Sequence, residues 1–358
     1  MRIRTLERYL ARQIYGAVGF VLVGFLALFA FFDLISELGD LWRRQYQLPQ
    51  VFLYVLLSTP AHAYELFPVV VLIGTLYVLA HLASNSEFTV MRGSGLSPGR
   101  TAATLAKIGA AFVVLTFAIG EWVAPAAEEA AQQVRLRALR GMIGQDLESG
   151  LWFKDGGAFI NVREARDVSV LRGLRIYYFD SENRLQMTSA ERADYRGDNT
   201  WRLVNVTRTN FEGGAPRVEH HERLEWRSAV NPELLSALIV RPDRMSAWAL
   251  LKYTEHLEGN RQKTERYEIA LWKKLFYPLA TLVMMALALP FAYMQARSGA
   301  VGVKVFLGIM LGIFFHMLNN LFSHIGLLQN WPPLAAAAAP SAAFLAAAML
   351  MMWWVERR

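Results

Sequence analysis

The stretch SNSEFTVMRGSGLSP, residues 84–98, is a short polar island between two apolar runs, Val51–Leu82 and Thr101–Val123. Each run is long enough to cross a bilayer, which takes about 20 apolar residues in a helix. The island mixes Ser84, Glu87, Arg92, Gly93, Gly95 and Pro98 with Phe88, Val90 and Met91. That mixture suits a short amphipathic helix lying on one membrane face. Ser84-x-x-Glu87 has the spacing of a capping box, in which hydroxyl and carboxylate satisfy donors at a helix N-terminus. Glu87 also suits presentation of a carboxylate to a basic groove on a cytoplasmic partner. The two readings are compatible, because a capping Glu stays near the surface.

Outward from the island the chain is dominated by apolar runs. Hydrophobic residues make up 54% of the 358 positions and are clustered, which sets the membrane class first. The absence of cysteine excludes a disulfide framework, a thiolate metal site and a Cys nucleophile. Much of the formal charge of +7 flanks the apolar runs, where it reports topology rather than nucleic-acid binding. The run Ile14–Phe32, about 19 residues, exceeds a signal-peptide core and is read as an uncleaved first span.

Six spans follow: Ile14–Leu34, Val51–Leu82, Thr101–Val123, Leu271–Met294, Val301–Phe322 and Pro333–Trp354. Pro60 and Pro68 are expected kink sites in the second. Arg2, Arg4, Arg8 and Arg12, then Arg92 and Arg100, then Arg297 and Lys304, then Arg357 and Arg358, all fall on one side of a six-span chain. That side is expected to be cytoplasmic, with both termini on it.

Between the third and fourth spans lie about 140 mostly polar residues whose pattern turns from helical to alternating. Leu174–Phe179 alternates imperfectly, and Trp201–Val206 and Arg223–Trp226 do so more clearly. Gly156-Gly157, Asp180–Asn183, Gly197-Asp198-Asn199 and Gly213-Gly214 supply turns. The expected fold is therefore an α-helical polytopic membrane protein of six transmembrane helices, with an all-β, jellyroll-like domain on the outer, periplasmic side between spans 3 and 4. The divisions are 1–124 with a cytoplasmic helix at about 84–93, 125–265, and 266–358. From Met245 to Glu268 the helical pattern is expected to return and run into the fourth span.

Catalytic patterns are missing. No GxxxxGK[ST] phosphate loop, HExxH or GxSxG occurs, so any ATP chemistry belongs to another chain. His220-His221 on a strand would point to opposite faces and make a poor metal pair. The fifth span carries His316, Asn320 and His324 at i, i+4 and i+8, with Asn319 beside them, and Gly308 and Gly312 as a GxxxG. Polar groups in a span face protein or water, so this stripe lines a cavity or gate, or makes ordinary interhelical hydrogen bonds. Arg135, Arg137 and Arg140 past the third span, with Arg43 and Arg44 from the first loop, form a candidate anion-attracting rim, or a solvated basic helix.

Four stretches carry a family resemblance that covers nearly the whole chain: LASNSEFTVMRGSGLSP (Leu82–Pro98), GEWVAP (Gly120–Pro125), GLWFKDG (Gly150–Gly156) and RYEIALWKKLFYPLA (Arg266–Ala280). The chain resembles lipopolysaccharide-export ABC transporter permeases of the LptF/LptG family, nearer the LptG branch. The resemblance implies a non-catalytic inner-membrane subunit paired with an LptF-type permease on two copies of an LptB-type ATPase, which uses ATP and Mg. It implies extraction of lipopolysaccharide from the outer leaflet and delivery to a periplasmic β-jellyroll bridge beginning with an LptC-type protein. By the same resemblance, Ser84, Glu87, Phe88, Met91, Arg92 and Gly95 would couple to the ATPase. Arg135 matches one of the family's headgroup arginines, Arg43, Arg44, Arg137 and Arg140 are candidates to stand in at the headgroup for family lysines that this chain lacks, and Phe31, Phe32, Asp33, His316, Asn319, Asn320 and His324 would line the lateral gate. No cofactor or metal is expected on this chain. A permease for another lipid or for lipoproteins is the alternative reading.

Overall fold

The computed structural model describes residues 2–39, 47–95, 97–138, 150–167, 169–179, 185–211, 216–232, 234–235, 241–293 and 300–357. The long helices are α1 (Arg2–Leu38), α2 (Leu48–Ser84), α4 (Pro98–Ala118), α7 (Glu265–Tyr293), α8 (Ala300–Leu328) and α9 (Pro333–Glu356). The short α3 (Glu87–Gly93) joins α2 to α4. A π-helical turn, Ile119–Val123, leads from α4 into α5 (Ala124–Ala138). Among the described residues, six helices are long and apolar enough to cross a membrane, as the hydropathy pattern requires. The first, second and fifth overrun their apolar runs at both ends, because a helix continues after its side chains turn polar. The second is unbroken at Pro60 and Pro68.

Between the third and fourth spans stands a six-stranded antiparallel sheet: β1 (Leu151–Asp155), β2 (Ala158–Asp167), β3 (Val170–Phe179), β4 (Leu185–Gly197), β5 (Thr200–Asn210) and β6 (Arg217–Arg227). Strand order follows chain order, so the all-β domain is a meander of hairpins. Gly197, Asp198 and Asn199 take positive φ at the β4–β5 turn, the conformation that Gly, Asp and Asn tolerate best. After β6, a 3-10 turn (Pro242–Arg244) precedes α6 (Ala247–Gly259). The expected continuous helix from Met245 into the fourth span is absent. Asn260 ends α6, and its side-chain oxygen accepts the Gly156 N–H at 2.6 Å. The helix restarts only at Glu265.

The chain divides into two compact units. One comprises residues 1–33, 58–127 and 265–358, and the other 34–57 and 128–264. In the first, Leu10, Ile14 and Val18 form the inward stripe of α1 and join a core with Val70, Leu76, Leu79, Met284 and Phe315. The close approaches are made at glycine. A Cβ at Gly74 would lie 2.7 Å from Val18 Cγ2, one at Gly109 would lie 2.5 Å from Leu282 Cδ2, and one at Gly312 would lie 2.4 Å from Val69 Cγ1. Gly308 lies against Leu76. The GxxxG of the fifth span thus receives the second span, the contact such small-residue spacing permits.

In the second unit, Trp201, Ile160, Val162, Leu174 and Leu203 fill the sheet's core, and the Trp201 Nε1–H donates to the Val230 carbonyl at 2.8 Å. One row of pairing is skipped across the sheet, at Arg163, Gly173, Glu191, Asn205 and Glu222, although register is kept on both sides. Gly173 and Asn205 have positive φ there. Inward positions change parity across this row: Leu171 to Leu174 and Ile176, Ala190 to Ala193, Leu203 to Val206. A strict two-residue alternation therefore cannot describe the full length of these strands.

Gly312→Leu should destabilise the bundle by about 2 kcal/mol or more through overpacking against Val69. Gly302→Ala, whose Cβ would meet nothing within 4 Å, should leave stability unchanged or raise it by up to about 1 kcal/mol. Thermal unfolding of both variants in detergent checks the pair.

Candidate functional site

The helix α3 is clamped to its unit by two side chains. Phe88 is 3% exposed and Met91 7%, and both belong to the apolar core. The Phe88 ring meets Tyr293 edge-on at 5.2 Å, and the Arg92 guanidinium lies 5.1 Å from the same ring. Tyr293 also donates to Thr101 Oγ1 at 3.5 Å. The start of α1 closes the other side, where the Tyr9 phenol donates to Glu87 Oε2 at 3.0 Å. α3 is therefore seated among the ends of the first, third and fourth spans, and a push on it bears directly on their packing.

The expected capping box is not formed. Ser84 is the last residue of α2, and its hydroxyl donates to the His81 carbonyl at 2.8 Å. Asn85 and Ser86 make the turn, Ser86 in the left-handed region at φ 62, and Glu87 opens α3. A carboxylate in the first turn is favourable against the helix dipole without a reciprocal cap. Gly95, at φ 97, ends the segment, and its carbonyl accepts from Arg100 Nη1 at 3.2 Å. The outward face is Thr89, Val90, Arg92, Gly93 and Ser94, with Val90 67% exposed. Phe88 and Met91 face inward and are the anchors of this helix.

A second cluster joins two of the sequence motifs. Gly120, in the π-helical turn, abuts the Tyr64 ring, which a Cβ would approach to 2.4 Å. Tyr64 packs against Tyr277 at 5.2 Å, and the buried Lys274 ammonium lies 4.7 Å from the Tyr64 ring. The Tyr277 hydroxyl donates to the Glu65 carbonyl. GEWVAP and RYEIALWKKLFYPLA thus meet around one tyrosine of the second span. The π-helical turn was not legible in the sequence. Its signal is the Gly-Glu-Trp break in an apolar run, and such turns cluster at functional positions.

The residues expected to line a gate fall on poorly covered helices. In the apolar windows of the first and fifth spans, 6% and 22% of residues are buried, against 78% and 72% in the second and fourth. Phe31 and Phe32 are 56% and 58% exposed and touch each other at 6.0 Å. Asp33 instead turns inward to His62, with Oδ2 2.7 Å from Nε2, and His62 also meets Phe29. On α8, Asn319 is buried while His316, Asn320 and His324 are exposed. Asn320 Nδ2 bonds His316 Nε2 at 3.2 Å, and the Asn320 carbonyl bonds His324 Nδ1 at 2.8 Å. The stripe is connected along its own helix and open to the outside.

Of the basic rim, Arg43, Arg44 and Arg140 lie outside the described residues, as does the Arg137 side chain. Arg135 is described. Its Nε lies 3.4 Å from the buried Glu37, and its guanidinium 5.7 Å from the Tyr54 ring. Sequence reasoning missed Glu37, and also the pair Arg244–Glu128, in which Nη1 reaches Oε2 at 2.7 Å and Gln132 adds a bond to the same carboxylate. His220 and His221 diverge, the first toward Thr207 and the second toward Glu219. Among the described residues, no three His, Asp or Glu converge as a metal site.

Known proteins show the same extent. The family model described as lipopolysaccharide export system permease LptF/LptG matches residues 8–354. The lipopolysaccharide export system permease protein LptG of Haemophilus influenzae is 30% identical over 334 residues, 93% of each chain. That of Escherichia coli K12 is 31% identical over 334 residues, 92% of each chain. A match that runs through all six spans and the sheet between them settles the family, and the chain belongs to the lipopolysaccharide export permeases LptF/LptG.

Proposed function

We propose that this chain is the LptG-type subunit of an ATP-driven lipopolysaccharide exporter. It pairs with an LptF-type permease and sits on two copies of an LptB-type ATPase, which binds ATP and Mg. It takes lipopolysaccharide from the outer leaflet of the inner membrane and hands it to a periplasmic β-jellyroll protein of the LptC type. In this reading both termini and α3 are cytoplasmic and the sheet is periplasmic.

One observation carries the reading: a hydrogen-bonded polar stripe, His316–Asn320–His324, lies on the open face of an otherwise apolar span. Lipid cannot satisfy such groups, so they require a protein partner or a wet cavity. With Phe31 and Phe32 likewise exposed at the end of α1, the first and fifth spans are the surfaces this chain keeps for a neighbour and for a passing lipid. The well-packed second and fourth spans are the frame against which those surfaces move.

α3 supplies the drive. Its exposed residues are offered to the ATPase, and its buried Phe88 and Met91 convert a displacement of the docked subunit into a shift of the bundle. A lipid is moved only if the two states so produced bind it differently.

The decisive experiment is reconstitution with an LptF-type permease and an LptB-type ATPase in lipopolysaccharide-loaded proteoliposomes. ATP-dependent release of lipopolysaccharide to an acceptor jellyroll protein is expected, and a chain that forms no complex with a separate ATPase would refute the reading. Within that complex, Glu87→Gln and Val90→Asp should each weaken ATPase docking about tenfold or more, the worth of a charge-assisted contact or a buried apolar one. Tyr9→Phe, which removes the internal donor to Glu87, should leave docking intact. If Glu87→Gln docks and stimulates the ATPase as the parent does, Glu87 is only a helix starter. Phe88→Ala should act differently, lowering the thermal stability of the bundle by about 3–5 kcal/mol.

A further inference from the structure

Two Arg–Glu pairs tie α5 into its unit, and they are built differently. Arg244–Glu128 is short, at 2.7 Å, and closed, its side chains 17% and 3% exposed. Arg135 Nε stands 3.4 Å from Glu37 Oε1, with side chains 37% and 7% exposed. A charge-assisted hydrogen bond runs at about 2.7–2.9 Å, so this second pair is loose. The other carboxylate oxygen, Glu37 Oε2, is buried with no hydrogen-bond partner among the described residues. A half-satisfied buried carboxylate is a poor bridge, since each unmet acceptor keeps its desolvation cost. Meanwhile the Tyr54 face supports the guanidinium at 5.7 Å, so the cation keeps its place when its anion changes.

We propose that Glu37 is an internal competitor for the anion site at Arg135: it occupies the guanidinium when no headgroup is bound, and it selects phosphate monoesters over phosphodiesters. The inference rests on the reading of Arg135 as a headgroup contact. A phosphodiester, the anion of ordinary phospholipids, brings one negative charge, no more than the carboxylate it replaces. Exchange then gains nothing in charge and leaves Glu37 to find new solvation. A phosphate monoester brings about −1.5 to −2 at neutral pH and three strong acceptor oxygens. It can fill the guanidinium fork that Glu37 engages only loosely. Specificity of this kind comes from what rejects the wrong ligand as much as from what holds the right one. The lipid it favours carries a terminal phosphate, and the lipids it disfavours are those that surround the protein in greatest number.

The test measures lipopolysaccharide binding to the assembled permease–ATPase complex in phosphatidylcholine nanodiscs. Phosphatidic acid, a monoester, and phosphatidylglycerol, a diester, serve as competitors. In the parent protein phosphatidic acid should compete at about tenfold lower concentration, the effect of one charge-assisted contact. Glu37→Gln should narrow that gap to about twofold, chiefly by strengthening phosphatidylglycerol. Glu37→Asp keeps the buried charge but draws it back from Arg135, and should give an intermediate gap of about fourfold. It decides the matter if the Gln variant does not assemble. A gap left unchanged in the assembled variants, while Arg135→Gln still weakens lipopolysaccharide binding, overturns the competitor role and leaves the headgroup reading standing. Unchanged lipopolysaccharide binding in Arg135→Gln removes both.

Discussion

A bilayer core offers no hydrogen-bond partners, and every polar group placed there has to find one within protein or water. The membrane unit follows from that constraint. Buried polar side chains turn to nearby carbonyls: Thr116 donates to the Phe112 carbonyl, Thr281 to the Pro278 carbonyl, and Lys304, buried at the start of α8, to the Phe291 carbonyl at 2.9 Å. On the open face of α8, polar residues instead join one another in a row and leave the rest of their hydrogen-bonding capacity for something outside the chain. The two treatments separate covered from open surface without any reference to catalytic chemistry.

The same dependence on neighbours explains how α3 is held in place. It has only seven residues, too few to be stable alone, since an isolated helix needs about 12–15 to be even marginal in water. Its order comes from Phe88 and Met91 in the bundle core, the Tyr9–Glu87 bond and the Tyr293 contacts. A short helix ordered entirely by its neighbours transmits force to them, because it has no independent way to deform. The aromatic cluster of Tyr64, Tyr277 and Lys274 against Gly120 forms a comparable joint at the π-helical turn.

Much of this was legible in the sequence. Hydropathy located the six spans, and the GxxxG of the fifth span named a close contact that Gly308 and Gly312 make with the second. Turn residues divided the strands correctly at Gly156-Gly157 and at Gly197–Asn199. What failed has one cause, that local spacing is silent about distant partners. Ser84 and Glu87 have capping-box spacing, yet a Ser prefers the carbonyl of its own helix and the Glu meets a tyrosine 78 residues away. The Arg135–Glu37 pair went unseen because Glu37 lies far off in sequence, and Arg244 finds Glu128 across 116 residues. The direction of Phe88 and Met91 was ambiguous for the same reason, since an amphipathic helix does not say which neighbour its apolar face will meet.

The second and fourth spans, the most enclosed pair, meet through Tyr64, Tyr277 and Lys274 but are separated in the chain by the entire β-sheet domain. Synthesis proceeds at about 5–20 residues per second. The first three spans therefore wait about ten seconds or longer in the bilayer before the fourth is made. During that interval Ser58, His62 and Thr75, all buried in the finished protein, belong to a half-built bundle. The sheet, whose hairpins join only consecutive strands, has low contact order and can form within that time. Biogenesis is thus ordered by the timing of translation: the β-sheet domain matures first, and the membrane frame closes last.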